Sequence, residues 1–561
     1  MIRQLALLGV ALAAACCSKS DVKSGGQGSS GVAPVPSKPT LTVFALAELR
    51  GQIGPCGCTS DPLGDISRTV ELVTQARSQG PVLVVDAGST LYSDSPVPPH
   101  LAVQEELKAD LIADIYKSDL QVAALGLGPM DLAKGPDELR MPRVVANTKD
   151  LKEQPYVLSD VGGAKVGTFS VIAEDAIKGL AITDPVAAGK AQVQALRQQG
   201  AQVVVALVQA SSKRDAVKLV KDIGGIDFTI AGLGLDAPEP DRISIEPEKV
   251  GDGWLVIPAN RGQVVSRLDL YVRGGSPFAD AVGQAAASAK LAMLDKQLVT
   301  LDADLAKFKA DTSADPTFIK QKEGERAQLA AQRDALKAHP LVVPARGSFF
   351  TLDQIRINKT LACSVPTLDK VKHYDVTAGE ANVKAAAGRP VPAPAKGEAH
   401  YVGMAACEDC HQDAVDFWKK TVHAQAWQTL VDRGQQFDME CINCHVTGWD
   451  KPGGSNLAHN DNLRDVQCEV CHGPASIHVA KGGDEKPSAV KRMPAQDLCA
   501  TNCHTHEHSD TFQYEAYLRD IVGPGHGEDL RKKLGNGPTG HELRKAALDK
   551  AGRTLGAGCT R

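Results

Sequence analysis

The sequence predicts a multidomain protein, in which an α/β domain is followed by a helical hairpin and then by a mainly α-helical domain. Three observations support this prediction. The chain has 561 residues, which is too many for one ordinary hydrophobic core. Short apolar runs alternate with helical stretches up to about residue 273, and a motif of two cysteines followed by histidine recurs after residue 400. The net charge of −5 gives no reason to expect nucleic acid as a partner.

The first residues have the pattern of an export signal. MIRQLALLGVALAAACCSKS combines a basic start, an apolar stretch and small residues before a cysteine. A buried helix is the alternative, which the missing polar face and cap disfavour. The small residues before cysteine resemble a bacterial lipobox, which implies a signal over residues 1–16, acylation of Cys16 and a lipid anchor to a bacterial membrane. We expect an exported protein in the periplasm or at the cell surface, with a flexible Gly/Ser/Pro tether over 17–40.

Residues 41–277 are predicted to form the α/β domain. Val/Ile/Leu-rich runs such as PVLVVDAG and QVVVALV are bounded by Gly, Pro or Asp, and helical stretches such as 101–117 separate them. This alternation argues for an α/β layer fold with a sheet that is buried on both faces.

Five ordered segments of this domain resemble the metallophosphoesterase domain of periplasmic 5′-nucleotidases: LTVFALAELRGQIGPCGC, VDAGSTL, ALGLGPMDL, ANTKD and IAGLGLD. The resemblance implies a metallophosphoesterase-like α/β sandwich. That family holds two metal ions through an Asp-x-His pair, a second Asp, an Asn-His pair and later histidines, because two-metal hydrolysis needs such donors.

The metal-binding positions of that family are changed in this chain. The residues that stand there are Glu48, Arg50, Ser89, Leu127, Gly128, Leu233 and Leu235. The only histidine between residues 41 and 273 is His100. Because Arg and Leu offer no metal ligand, we expect a scaffold that lacks the dimetal centre and has no phosphoesterase activity.

Cys56 and Cys58 stand close together in the segment PCGC. Two thiols alone do not complete a tetrahedral metal site. Disulfide formation, with Cys363 or Cys559 as candidate partners, is therefore the preferred interpretation, and metal ligation is the alternative.

The middle of the chain predicts an antiparallel helical hairpin over residues 278–340. An apolar stripe with 3-4-3-4-3 spacing runs down its first helix and comprises Leu291, Leu294, Leu298, Leu301, Leu305 and Phe308. TSADP interrupts the pattern at 312–316, and a second, more polar helical stretch covers 317–338. The stripe is interpreted as a packing surface rather than a cofactor site. A short β segment and an Ala/Pro-rich linker are predicted over 341–399.

Three copies of Cys-x-x-Cys-His follow: CEDCH, CINCH and CEVCH. Random placement of the cysteines and histidines predicts roughly 0.01 copies, so a mechanism is needed. Two thiols at this spacing can add to the two vinyl groups of one porphyrin, and the next histidine then ligates the iron. Zinc or a disulfide would not require histidine after each pair. The predicted haem c sites are Cys407, Cys410 and His411; Cys441, Cys444 and His445; and Cys468, Cys471 and His472.

CATNCH at 499–504 predicts a fourth haem site with an extra spacer residue. If that residue is bulged out, Cys499 and Cys503 can still reach the ring and His504 can ligate the iron. The alternative is a disulfide beside a surface histidine, which would leave three haems. Residues 400–520 are poor in large apolar residues, so we expect the porphyrins to form the core of this domain.

Five segments of this region resemble the tetrahaem cytochrome family that accepts electrons from hydroxylamine oxidoreductase: YVGMAACEDCH, WKKTVHAQAWQTL, ECINCHVTGW, VQCEVCHGPASIHV and CHTHEHS. The resemblance implies a mainly α multihaem cytochrome c domain over 400–525, followed by a polar tail over 526–561. It also implies distal ligands to the haem iron. The candidates, strongest first, are His423 and His478, then His506, His508 and His400, and last His459 and His526.

The function expected from these patterns is electron transfer between redox partner proteins by an exported multihaem c-type cytochrome. The α/β domain would act as a docking or spacing module. Two alternatives stay open. One is a haem-based oxidoreductase, in which a haem without a distal ligand acts on a small nitrogen or sulfur compound. The other is a 5′-nucleotidase-like hydrolase, which the missing metal ligands disfavour.

Overall fold

The computed structural model describes most of the chain beyond the N-terminal segment. The described residues are 38–55, 59–149, 151, 153–281, 284–310, 316–338, 340, 343–344, 346–484, 490–505, 508–552 and 554–559. The predicted signal with Cys16, most of the tether, Cys56, Cys58 and His506 lie outside them. Within the described ranges no helix is both long and apolar enough to cross a bilayer.

The strands of the described chain form two six-stranded sheets. In chain order they are β1 (Leu41–Leu46), β2 (Val82–Asp86), β3 (Ala124–Leu125), β4 (Tyr156–Val161), β5 (Ala164–Ile172), β6 (Val203–Gln209), β7 (Phe228–Gly232), β8 (Glu248–Val250), β9 (Gly253–Val256), β10 (Val264–Tyr271), β11 (Ala279–Asp280) and β12 (Phe349–Arg356). The first sheet has the order β11-β12-β10-β1-β2-β3, and the second has the order β4-β5-β6-β7-β9-β8.

The helices of the described chain are concentrated after residue 280. In chain order they are α1 (Ile66–Gln79), α2 (Ala102–Ser118), α3 (Pro185–Gln198), α4 (Lys213–Ile223), α5 (Gln284–Ala310), α6 (Pro316–Ala338), α7 (Val365–Ala386), α8 (Ala405–Trp418), α9 (Ala426–Val431), α10 (Cys468–His472), α11 (Ser476–Ala480), α12 (Gln496–Asn502), α13 (Tyr514–Ile521), α14 (Glu528–Leu534) and α15 (Gly540–Ala551).

The two sheets pack face to face around one apolar core. Val43 and Val85 of the first sheet and Val205 and Ile230 of the second are buried in the same cluster. The other face of the first sheet is covered by α1, α2 and α7, and that of the second sheet by α3 and α4. Because both faces of each sheet are buried, the strands consist of near-continuous apolar runs. The α/β sandwich predicted from the sequence is confirmed.

Helix α1 shows how local sequence sets these elements. Asp65 caps its first turn by accepting hydrogen bonds from the backbone N–H groups of Ser67 and Arg68, at 2.9 and 3.4 Å. Buried apolar residues at helical spacing, among them Val70 and Val73, face the first sheet. A single segment thus supplies both the cap and the apolar stripe.

The α/β domain extends beyond residue 277, the boundary predicted for it. Strand β12 pairs antiparallel with β10 along its whole length, so residues 349–356 complete the first sheet. Part of the range 341–399, for which a β segment and an Ala/Pro-rich linker are predicted, is instead helical, because α7 continues to Ala386. Ala378 and Asn382 are buried on α7, and Gly379 lies against Phe437. The small residues that suggested a linker allow this helix to pack closely.

The predicted helical hairpin is confirmed as α5 and α6. Leu294, Leu298 and Leu305 of the apolar stripe are buried, each with 5% exposure or less. Phe308 of α5 contacts Phe318 of α6 edge to face, with ring centroids 5.1 Å apart. The burial of these leucines and the position of Phe308 next to α6 both follow from the 3-4 spacing of apolar residues on α5.

The segment after residue 526 is more ordered than the predicted polar tail. It contains α14 and α15, and it ends in a disulfide between Cys363 and Cys559. The backbone N–H of Cys363 also donates to the carbonyl of Ala557 at 2.8 Å. Because Cys363 and Cys559 pair with each other, the interpretation that either pairs with Cys56 or Cys58 was wrong.

Candidate haem-binding sites

The metal-binding positions of the α/β domain are occupied by a hydrogen-bond network. Glu48 is 1% exposed, and its carboxylate accepts hydrogen bonds from the side chain of Gln209 at 2.8 Å and the backbone of Gly234 at 2.9 Å. The guanidinium of Arg50 pairs with Glu48 at 3.1 Å and donates to the carbonyl of Gly234. Burial raises the pKa of Glu48, although Arg50 and the hydrogen bonds oppose this shift. The network joins the two sheets, and Gln209 was not singled out from the sequence.

A second buried ion pair lies at the positions of Ser89 and Gly128. Asp131 accepts hydrogen bonds from the backbone N–H groups of both residues, at 2.8 and 2.9 Å. Arg143 pairs with Asp131 at 3.1 Å, and both side chains are fully buried. Leu127 is buried, whereas Leu235 is 86% exposed. In the described chain no group of three metal-binding side chains comes together. Since a guanidinium cation neutralises each carboxylate, this donor set does not fit a two-metal centre.

The first haem motif lies on α8. His411 has non-helical backbone angles within this helix, and its ring faces His478 of α11. The two ring centroids are 6.3 Å apart, and the ring planes are inclined by 17°. Since a metal–imidazole bond is about 2 Å long, two imidazoles on one metal ion have centroids about 6 Å apart. The spacing therefore fits an iron ion between these rings.

Two other proximal histidines also face a second histidine. The rings of His504 and His423 are 6.3 Å apart, and those of His472 and His526 are 5.8 Å apart. His423 is one of the two strongest distal candidates from the sequence, whereas His526 is among the weakest. The structure brings His526 opposite His472 through α13 and the turn after it. The ligand roles themselves stay predictions.

Hydrogen bonds fix the orientation of several of these rings. In each case the Nδ1–H group of a histidine donates to a backbone carbonyl. His445 donates to the carbonyl of Ala426, His472 to the carbonyl of Lys491 at 2.6 Å, and His526 to the carbonyl of Ile521 at 2.9 Å. A carbonyl can only accept, so each Nδ1 carries the proton and each Nε2 is free to bind a metal. Burial, followed by the neighbouring His504, lowers the pKa of His423 to about 4. A low pKa favours the neutral imidazole that ligates iron.

The remaining candidates differ in position. His508 and His459 are exposed, and His508 hydrogen-bonds Thr505 at 2.8 Å. The ring of His400 lies against the backbone of Gly453. Among the described residues no histidine ring faces His445, and His506 lies outside them. Three of the four proximal histidines thus have a facing partner in the described chain.

Among the eight cysteines of the four motifs, side chains of different motifs lie close together. The pKa of Cys407 is raised, first by its hydrogen bond with Cys468. A hydrogen bond with Cys444 likewise raises the pKa of Cys503. Burial, with Cys499 as the next cause, raises the pKa of Cys471 to about 11. The first motif therefore adjoins the third, the third adjoins the fourth, and the fourth adjoins the second.

The extra residue of the fourth motif is accommodated at the end of α12. The backbone N–H of His504 donates to the carbonyl of Cys499 at 2.9 Å, five residues back along the chain. A turn of this width is the local form of a π-bulge, which holds one residue more than an α-helical turn. Cys503 has non-helical backbone angles at the same point. This turn has the local geometry that the predicted bulge requires, and haem attachment at this motif stays a prediction.

Comparisons with known proteins concern the two parts of the chain separately. Residues 406–473 match the protein family described as cytochrome c554 and c-prime. Cytochrome c-554 of Nitrosomonas europaea is 29% identical over an alignment of 120 residues, and the match covers 18% of this chain and 51% of that protein. The chain thus spans about half the length of this relative. The reduced-state structure of cytochrome c554 from N. europaea covers 22% of this chain and 83% of its own, with 21% identity and a TM-score of 0.19.

The α/β domain has structural neighbours among nucleotidases. The 5′-nucleotidase precursor from Thermus thermophilus is similar over 70% of this chain and 68% of its own, with 16% identity and a TM-score of 0.40. The N-terminal fold itself is evident from its two mixed sheets and flanking helices. The comparisons thus relate the C-terminal region to c-type cytochromes, and this region follows an α/β domain built of two mixed sheets.

Proposed function

We propose that this protein is an extracytoplasmic multihaem cytochrome that passes single electrons through four covalently bound haems. The observation that supports this most directly is the facing of His411 and His478, His504 and His423, and His472 and His526 at the spacing of two ligands on one iron. Bound haem iron supplies one-electron redox chemistry, and its axial ligands and surroundings set the potential.

The protein residues have three tasks in this proposal. The cysteine pairs would tether each haem, and the facing histidines would hold its iron from both sides at three sites, which favours electron transfer over substrate binding. The Nδ1 hydrogen bonds hold the rings of His472 and His526 in the orientation in which their Nε2 atoms would bind the iron. The adjoining thiols support a continuous row of haems in the order first, third, fourth and second motif.

The location and the partners are part of the same proposal. The N-terminal sequence supports export and acylation of Cys16, which would anchor the protein to a bacterial membrane in the periplasm or at the cell surface. Electrons would enter from one redox protein and leave to another. No hydrolytic activity is assigned to the α/β domain, since the Glu48–Arg50 pair occupies the metal-binding positions.

The experiment that tests this function is a haem count on the purified full chain by intact mass and pyridine haemochrome absorbance. We expect four covalent haems, and electron paramagnetic resonance should show low-spin signals from at least three. Colourless protein with a folded C-terminal third would overturn the proposal. A high-spin ferric signal that shifts when nitrite or hydroxylamine is added would instead favour an oxidoreductase acting at the His445 site.

A further inference from the structure

The α/β domain directly contacts the segment that precedes the second haem motif. Gln104 of α2 donates from its side-chain amide to the carboxylate of Asp438 at 3.1 Å. Its carbonyl oxygen accepts from the backbone of Met439 at 3.0 Å and from Asn382 of α7 at 2.9 Å. Asn382 also donates to the carbonyl of Phe437 at 3.1 Å. Side chains of α2 and α7 therefore form hydrogen bonds with three consecutive residues of the cytochrome region, which are Phe437, Asp438 and Met439.

Lys108 adds a buried charge to this contact. It lies one turn beyond Gln104 on α2, and its side chain is 5% exposed. Its ammonium pairs with Glu105 of the same helix and, at 3.0 Å, with Glu440, which directly precedes Cys441. An isolated ammonium would be costly to bury, so the two carboxylates are needed to hold it there.

The held segment begins the second haem motif. The backbone carbonyl of Asp438 accepts hydrogen bonds from the N–H groups of Cys441 and Ile442, at 3.1 and 3.0 Å. The carbonyl of Ile442 in turn accepts from the N–H of His445 at 3.0 Å. Ile442 is completely buried. A shift of Asp438 would therefore move the thiols and the proximal histidine of this motif together.

The contact is also rich in acidic groups. Glu105, Asp438 and Glu440 surround Lys108, and Tyr374 and Asp375 of α7 face the same region. Burial, followed by the charge of Asp438, raises the pKa of Asp375 to about 7. Lys108 is the cation among these acidic groups, so its positive charge offsets their negative charge beside the second haem motif.

We propose that Lys108 is a positioning residue for the haem at Cys441 and Cys444, and that the α/β domain fixes the position of that haem. The inference rests on the proposed function. It gives the domain a definite task, which is to fix the 437–441 segment and to set the local charge that tunes one reduction potential. The other three haem motifs would keep their potentials when this contact is changed.

The test is spectroelectrochemical titration of the full-length holoprotein and its variants. Lys108→Met leaves the neighbouring carboxylates uncompensated, so it should lower the midpoint potential of one haem. Glu440→Gln removes a negative charge, so it should raise the potential of the same haem. Lys108→Arg keeps the positive charge, so this haem should have the same midpoint potential as in the wild-type protein. A purely structural contact would not produce shifts of opposite sign.

Lys370→Met is the matched control. Lys370 of α7 also pairs with two carboxylates of the α/β domain, Asp114 at 2.7 Å and Asp119 at 2.9 Å, at a site away from the haem motif. The Lys370→Met variant should leave the reduction potential of every haem unchanged. Unchanged potentials in the Lys108→Met and Glu440→Gln variants would overturn the inference, as would equal shifts of all haems. If Lys108→Met does not fold, Glu440→Gln and Lys108→Arg decide the question. A wild-type protein without haem would overturn the proposed function itself.

Discussion

His411 and His478 face each other with ring centroids 6.3 Å apart, although one lies on α8 and the other on α11. The near-parallel rings leave the space of one ligated iron ion between them. This relationship supports the proposal that haem iron is bound between these two helices. It also identifies His478 as the side chain whose loss should change one haem and leave the others intact.

Replacing His478 with alanine should convert one haem from low spin to high spin, because one axial ligand is lost. Electron paramagnetic resonance and the absorbance of the ferric protein measure this change. His100→Ala is the control, since His100 is exposed and lies in the α/β domain. An unchanged low-spin signal in His478→Ala would show that another residue ligates this iron.

Removing both thiols of the fourth motif should remove one haem. In the Cys499→Ala, Cys503→Ala double variant, intact mass should fall by one haem relative to the wild-type chain, after allowance for the substitutions. Thr501→Ala should keep the full haem count, because the turn depends on the backbone bond between His504 and Cys499. A double variant with the wild-type haem count would show that this motif is no attachment site.

The sequence predicted those features that depend on local patterns. The apolar runs of β2 and β6 indicated the buried sheets, and the spacing of Leu294, Leu298 and Leu305 indicated the hairpin. Cys-x-x-Cys-His carries its chemistry within five residues, so each motif could be recognised alone. The relationships that were missed join distant segments, for which one sequence offers no local signal.

The position of His526 and the Cys363–Cys559 pair illustrate that limit. His526 reaches His472 only because α13 and the following turn place it there. Cys363 and Cys559 are separated by 196 residues and meet through the backbone contact near Ala557. The extent of α7 was missed for another reason, because its alanines and glycine are typical of both linkers and closely packed helices.

The disulfide encloses all four haem motifs in one covalent loop. A loop of 196 residues loses enough entropy in the unfolded chain to stabilise the fold by about 5 kcal/mol. The Cys363→Ser, Cys559→Ser double variant should therefore unfold at lower urea concentration than the wild-type protein without reductant. Mild reductant should lower the midpoint of the wild type and leave that of the variant unchanged. Equal midpoints without reductant would contradict this prediction.

Asp86 should make the stability of the α/β domain depend on pH. Complete burial raises the pKa of its carboxyl to about 7, despite hydrogen bonds from Gly88 and Tyr116. In the unfolded chain the carboxyl has a pKa of about 4. Between these values the folded state binds a proton that the unfolded state does not, so the stability should fall as the pH rises from 4 to 7.

Asp86→Asn should remove this dependence, since the amide keeps one acceptor oxygen and does not ionise. Relative to wild type, the variant should gain stability as the pH rises from 4 to 8, by at most about 4 kcal/mol, because one pKa unit corresponds to about 1.4 kcal/mol. Urea unfolding followed by circular dichroism at several pH values measures the difference. Asp137→Asn, at an exposed position, is the control. If the Asp86→Asn curve runs parallel to that of wild type over this pH range, the buried carboxyl is not the group responsible.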